Sequence, residues 1–231
     1  MGVKYWAVIP AAGIGSRMQS ECPKQYLKIL DKTVLEHTLE KFCIHPRIAG
    51  VVVSLAANDI YWQNLGISKQ YKIMTTTGGA ERFNSVLNGL HYLRNHADAE
   101  DWVLVHDAVR PCVRHGDLDK LIEVLDQHPV GGLLAYPVKD TMKRANENLE
   151  VTETVDRRGL WHALTPQMFR LSLLEHAIAK AVQENIIITD EAQAVERCGY
   201  SPRLVEGRAD NIKITRKEDL SLAELYLSNQ E

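Results

Sequence analysis

Residues 9–24 read Ile9-Pro10-Ala11-Ala12-Gly13-Ile14-Gly15-Ser16-Arg17-Met18-Gln19-Ser20-Glu21-Cys22-Pro23-Lys24, and the reading of this stretch decides the rest of the chain. It completes an apolar run, Trp6 to Ala12, that stops at glycine, as a central parallel strand buried on both faces does. A glycine-rich turn directly after such a strand points to bound phosphate, because its backbone N–H groups can form an anion-binding nest beside a helix start. The kind of phosphate follows from what the turn lacks. Gly13-x-Gly15 is followed by Met18 where a dinucleotide fingerprint has glycine or alanine, and no Gly-Lys-Ser/Thr of a P-loop is present. What stands there instead is Arg17, a planar fork that bridges phosphate oxygens, and Lys24, a compact point charge on a flexible stem. Two full charges and a nest suit a polyphosphate better than a single phosphate.

Working outward, elements alternate. Val34, Leu35, Thr38, Leu39 and Phe42 recur at helical spacing before a second apolar run, Val51 to Leu55, which gives a first βαβ unit. A stripe of Phe83, Val86, Leu87, Leu90 and Leu93 precedes the strand Trp102 to Val105. Leu118, Leu121, Ile122 and Leu125 precede Gly132 to Tyr136. The alternation predicts an α/β fold built on an open, mostly parallel, doubly wound sheet. From Thr141 to Arg158 the pattern changes to few apolar residues around a turn candidate at Asn146-Glu147-Asn148. These residues, 141–158, read either as a projecting β-arm or as a solvated insertion loop. A hairpin with so little apolar surface is marginal alone in water, so an arm would gain stability by packing on a second subunit. Helices are expected near Leu171 to Val182 and Asp190 to Arg197. A short strand follows at Ile212-Lys213-Ile214, then a closing helix capped by Thr215-Arg216-Lys217-Glu218. No repeat or linker divides the 231 residues, and no fused partner domain is expected, so 1–231 reads as one domain plus arm.

Composition narrows the partners. A net charge of -3 with 25% charged residues gives no basic field for a nucleic-acid polymer. The four cysteines, Cys22, Cys43, Cys112 and Cys198, form no Cys-x-x-Cys pair, so neither a zinc site nor a disulfide framework is expected. The start of the chain enters a strand at once, and no stretch reaches the ~18–20 apolar residues of a membrane span. A soluble cytoplasmic protein with reduced thiols is the expectation.

Two further stretches share the cleft that the glycine turn implies. His106-Asp107-Ala108-Val109-Arg110-Pro111 follows a strand, and carboxyl ends of parallel strands point into the binding crevice. Asp107 could hold ribose hydroxyls or Mg²⁺, or could simply cap a helix. His106 reads as a support of the turn more than as a catalyst. Thr77-Gly78-Gly79-Ala80-Glu81-Arg82 puts two glycines before an amphipathic helix and could bring backbone against a flat base.

Taken together, the motifs carry a resemblance. Pro10-Ala11-Ala12-Gly13-x-Gly15-x-Arg17-Met18, Pro23-Lys24-Gln25-Tyr26, Gly78-Gly79-x-x-Arg82-x-x-Ser85-Val86, His106-Asp107-Ala108-x-Arg110-Pro111, Pro137-Val138-x-Asp140-Thr141-x-Lys143, Thr154-Val155-Asp156-Arg157, Thr165-Pro166-Gln167, Thr189-Asp190-Glu191 and Gly207-x-x-x-Asn211-Ile212-Lys213 closely resemble the 2-C-methyl-D-erythritol 4-phosphate cytidylyltransferases of the non-mevalonate isoprenoid pathway. The resemblance spans almost the whole chain and implies a Rossmann-like nucleotidyltransferase sheet. It also implies cytidylyl transfer from CTP to the methylerythritol phosphate, with Mg²⁺ bridging the triphosphate. On it, Arg17 and Lys24 would stabilise the transition state, with Arg157 and Lys213 orienting the attacking phosphate. CTP would be held by Pro10, Ala11, Ala12, Gly13, Gly15, Arg17, Lys24, Gly79, Ser85 and Asp107. The second substrate would meet Asp107, Arg110, Thr141, Arg157, Thr165, Thr189 and Lys213. Arg157 and Thr189 would arrive from the partner of a homodimer, which gives the arm its purpose. Asp107, and more weakly Asp210, are the metal candidates. Two other readings stay open: a ribitol 5-phosphate cytidylyltransferase and a non-catalytic nucleotide-binding domain.

Overall fold

The computed structural model describes residues 2–13 and 22–230. Strand β1 (Tyr5–Pro10) is flanked in parallel by β4 (Ile48–Leu55) and β6 (Trp102–Val105), and β4 by β5 (Met74–Thr77). Beyond β6 lies β10 (Trp161–Arg170), antiparallel both to β6 and to β7 (Gly131–Pro137). β11 (Arg203–Glu206) closes that edge parallel to β7. The resulting seven-stranded sheet has the order β11-β7-β10-β6-β1-β4-β5 and is mostly parallel, as the alternation predicts.

Three of its strands escape the periodicity, each for a physical reason. β5 reads Met-Thr-Thr-Thr at a half-exposed edge, and β11 buries only Val205, so neither carries an apolar run. β10 contains Pro166, which removes a ladder donor and argues against a sheet interior. The structure resolves that conflict with a register break between Ala163 and Gln167, so Pro166 sits where pairing is already interrupted.

The sheet is packed on both faces, and its period of two sorts the side chains. Ala7, Ile9, Val51, Val53, Trp102 and Leu104 face one layer with Leu35, Leu39 and Phe42 of α1 (Val34–Cys43) and Leu118 to Leu125 of α4 (His115–Leu125). Trp6, Val8, Val52, Val103 and Val105 face the other. There they meet Val86, Leu90 and Leu93 of α3 (Arg82–Leu93), Leu174 to Ala181 of α5 (Leu171–Gln183) and α6 (Glu191–Arg197). α1 starts where Thr33 accepts from the Glu36 N–H while Glu36 reaches back, a capping box. A short α2 (Ile67–Gln70) and a small pair, β2 (Lys28–Ile29) with β3 (Lys32–Thr33), border the first layer.

Residues 141–158 hold a hairpin: β8 (Met142–Ala145) pairs antiparallel with β9 (Val151–Val155), and nearly every residue of both is exposed. Two expectations near the C-terminus are corrected. Ile212–Ile214 forms no strand, because its bonds go elsewhere, the Ile214 N–H to Val109 O at 2.9 Å. The closing helix α7 (Glu218–Ser228) is not capped by Thr215. Instead Asp219 accepts from the Thr215 N–H and hydroxyl and from the Arg216 N–H, so the carboxylate one residue further on does the work. Among the described helices none is long and apolar enough to cross a membrane, and no disulfide joins the four cysteines.

Candidate active site

A cleft of about 640 Å³, open to solvent, lies beyond the carboxyl ends of β1 and β6. Its first wall is the turn after β1. The Ala11 N–H donates to Ser54 O at 2.8 Å, and the Gln25 amide donates to Ala11 O at 2.7 Å and Gly13 O at 3.0 Å. This ties the single helical turn Lys24–Tyr26 to the glycine loop and sets Lys24 at the rim, where its ammonium also reaches Ile214 O at 3.0 Å.

The second wall is the turn before α3. The Gly78 N–H donates to Leu55 O at 2.7 Å and the Gly79 N–H to the Ser85 hydroxyl at 3.0 Å. A Cβ on Gly78 would lie 2.4 Å from that of Ala12, so the two walls meet at a distance that only glycine permits.

The floor is built on Asp107, whose carboxylate collects three cations. Arg82 Nε donates to Oδ1 at 2.7 Å, Lys213 Nζ lies 2.9 Å from Oδ2, and Arg110 Nε stands 3.5 Å from the same oxygen. Arg82 is gripped in turn by Glu191, at 2.5 Å and 3.1 Å. Burial pushes the Asp107 carboxyl up, but Arg82, Lys213 and Arg110 outweigh it and hold the group well below the carboxylate range. Burial lowers Arg82 as well, and its two carboxylates reverse the direction. At Arg110 burial prevails over Asp107, and the shift is downward.

Behind the floor runs a second set of bonds. The Asp107 N–H donates to the Thr165 hydroxyl, which lies 3.0 Å from His106 Nδ1, while His106 Nε2 meets the Arg110 carbonyl at 3.0 Å. A carbonyl only accepts, so Nε2 carries the hydrogen and Nδ1 accepts from Thr165. Burial pushes His106 down to about 4, and it stands neutral as a support of the turn. Asn211 completes the set: its side-chain amide Nδ2 donates to Thr165 O and its backbone carbonyl accepts from Arg110 Nη1, both at 2.7 Å. Lys213 therefore rides on an irregular segment clamped on several sides.

Of the residues singled out in the sequence, Pro10, Ala11, Ala12, Gly13, Lys24, Gly79, Ser85, Asp107 and Lys213 line the cleft, and Arg110 and Thr165 contact its floor. Gly15 and Arg17 lie outside the described residues. Thr141, Arg157 and Thr189 are exposed and not among the lining: the Arg157 guanidinium donates to Lys139 O at the base of its own arm, and Thr189 bonds Gln193. Asp107 does not fit a metal ligand, because both its oxygens already face cations. Asp210 gives Oδ2 to Arg114, and its Oδ1 is buried without a hydrogen-bond partner. No group of three or more metal-ligating side chains occurs among the described residues. Sequence reading assigned no part to Arg82, Glu191, Gln25 or Asn211. Each acts through a partner remote in the chain, and only their place inside the recurring motifs signals them.

Lys24, Arg82, Arg110 and Lys213 meet the buried carboxylates of Asp107 and Glu191 and the exposed Glu81, so positive charge is in excess. A doubly wound sheet with a cationic cleft at its strand ends defines a nucleotidyltransferase-like α/β protein. Residues 5–229 match the family model IspD, 2-C-methyl-D-erythritol 4-phosphate cytidylyltransferase. A protein of that name from Vibrio parahaemolyticus is 55% identical over 97% of this chain and 95% of its own. One from Pseudomonas aeruginosa is 54% identical over 94% and 93%. The crystal structure of a 4-diphosphocytidyl-2C-methyl-D-erythritol synthase superposes with a TM-score of 0.86 at 39% identity, covering 98% of this chain and 99% of that one. The Francisella tularensis cytidylyltransferase gives 0.82 at 38% identity, over 96% and 99%. The chain belongs to the 2-C-methyl-D-erythritol 4-phosphate cytidylyltransferase family.

Proposed function

We propose that this chain transfers the cytidylyl group of CTP to 2-C-methyl-D-erythritol 4-phosphate, releasing pyrophosphate and forming the diphosphocytidyl product. The observation that carries this reading is the cleft itself: a glycine-built wall for a flat base beside a floor of cations for phosphate. A phosphate oxygen of the second substrate attacks the α-phosphorus of CTP. With a second pKa near ~6, a phosphate monoester is already largely dianionic at neutral pH, so no general base is needed. A buried, neutral His106 is consistent with that. The barrier lies in bringing two anions together and in stabilising charge on the phosphorus and the departing pyrophosphate, a task for fixed cations.

In this reading Lys24 and Arg17 stabilise the triphosphate, while Lys213, held by Asp107, faces the incoming phosphate. Ala11, Ala12, Gly79 and Ser85 read the cytosine, and Asp107 and Gly13 border the ribose. Arg110 and Thr165 hold the floor of the acceptor side. Thr141, Arg157 and Thr189 are exposed on one subunit. We assign Arg157 and Thr189 to the site of a partner subunit in a homodimer, with arm 141–158 as the exchanged element and 1–231 as one domain. Magnesium would accompany the triphosphate and offset its charge during the transfer. A cytoplasmic enzyme fits cysteines that form no disulfide and phosphorylated substrates.

Pyrophosphate release tests the reading: purified protein, CTP and Mg²⁺ are supplied in turn with methylerythritol phosphate and ribitol 5-phosphate. Release with the first alone is expected. Preference for ribitol phosphate, or CTP binding without release, overturns it.

A further inference from the structure

We propose that Arg82 and Glu191 form a positioning relay that fixes Asp107 and, through it, Lys213; the proposal rests on the cytidylyl-transfer reading above. Asp107 sits on an irregular turn past β6, and Lys213 on a segment with no regular structure, so neither is placed by a helix or strand ladder. Hydrogen bonds to Thr165, Asn211 and Val109 clamp their backbone, and charge aims their side chains. Asp107 gives Oδ1 to Arg82 Nε at 2.7 Å and Oδ2 to Lys213 Nζ at 2.9 Å, one oxygen to each. That division holds only while Arg82 is content with one Asp107 oxygen.

Glu191 makes it so. It is fully buried in the first turn of α6, and its two oxygens take Arg82 Nη1 and Nη2 at 2.5 Å and 3.1 Å. The guanidinium is a rigid plane, and gripping its far edge fixes the direction of its Nε–H, which points at Asp107. Glu191 also supplies the second negative charge. Without it Asp107 alone would answer Arg82, Arg110 and Lys213, and the guanidinium, held from no other side, would draw Asp107 away from the ammonium. Arg82 opens α3, where the glycine wall ends, so the relay also ties both substrate sides to one pair of helices.

A double-mutant cycle tests this. Glu191→Gln keeps the side chain's size but removes its charge, and Arg82→Gln removes the relay's centre. Each is made alone and on Asp107→Asn, with kcat and KM measured for both substrates. Either substitution alone is expected to lower kcat/KM for methylerythritol phosphate roughly 10- to 100-fold. On Asp107→Asn the same change should cost less than about threefold, because its effect passes through Asp107. Equal losses in both backgrounds, or a lowered melting temperature with unchanged kinetic constants, overturn the relay.

Acetic anhydride labelling read by mass spectrometry gives a second measurement that needs no activity. Lys213, released from its carboxylate, should label several-fold faster in Glu191→Gln while lysines remote from the cleft keep their rates. An unchanged Lys213 rate counts against the relay. Inactivity of the parent enzyme with both substrates would refute the functional reading; an active parent with additive losses would refute the relay alone.

Discussion

Gly78→Ala adds one methyl group where the two walls of the cleft touch. The new Cβ would lie 2.4 Å from Ala12 Cβ, 2.8 Å from the Ser85 hydroxyl and 3.3 Å from Leu55 O. Apolar carbons rest at about 3.5–4.0 Å, so the turn before α3 and the turn after β1 must part by roughly 1 Å or more. Ala12 and Ser85 both line the cleft, which converts that parting into a displaced nucleotide. A 1 Å misplacement of a reacting group costs on the order of 10²-fold, or about 2.7 kcal/mol of transition-state stabilisation. Gly78 lies in a loop outside any helix or strand, so the protein should still fold. Pyrophosphate release at varied CTP should therefore give kcat/KM down about 100-fold, with far-ultraviolet circular dichroism like the parent's. Gly116→Ala in α4, where an added Cβ meets nothing within 4 Å, is the control and should keep full activity. A Gly78→Ala enzyme within threefold of the parent would refute the close-contact reasoning.

Lys24→Ala and Arg17→Ala should each lower kcat by roughly 10²-fold, the scale of one lost preorganised donor; a change confined to KM would mean ground-state binding only. His106 gives a pH signature. Burial lowers it from the ordinary 6.5 to about 4, so the unfolded chain takes up a proton that the folded one refuses. Its contribution is thus full above 6.5 and lost as pH falls toward 4, by about 3 kcal/mol. Asp107, also held low, loses its contribution only below ~3.9; His45 and His128, lowered by burial as well, share the window, so the test is the difference between variant and parent. Urea unfolding should show His106→Gln with a flatter profile between those values than the parent; parallel profiles would contradict it. Mixing Arg157→Ala with Lys24→Ala subunits should restore part of the activity through hybrid sites, and proven heterodimers without recovery would count against an exchanged arm.

The alternation of strands with helices, the opening of the glycine turn at Ala11 to Gly13 and the place of Lys24 at the cleft were legible because each is local, while Gly15 and Arg17 lie outside the described residues. Phosphate contact at a strand end needs glycine, and a strand buried on both faces needs an unbroken apolar run, as Trp6 to Ala12 has. β10 was not, since Pro166 argues against a sheet interior until the register break is known. Nor was the strap carrying Lys213: Ile212-Lys213-Ile214 alternates like a strand but spends its bonds on Val109 and Lys24. Arg82 and Glu191 are 109 residues apart and meet only because α3 and α6 lie on one face of the sheet, a juxtaposition no spacing rule encodes.

The central claim is that the acceptor's phosphate oxygen attacks the α-phosphorus of CTP in this cleft. The most direct measurement uses methylerythritol phosphate labelled with ¹⁸O in its phosphate, with mass spectrometry of both products. The label is expected wholly in the diphosphocytidyl product, with unlabelled pyrophosphate released in equal amount. Label in the pyrophosphate, or free CMP formed in place of the joined product, would contradict it.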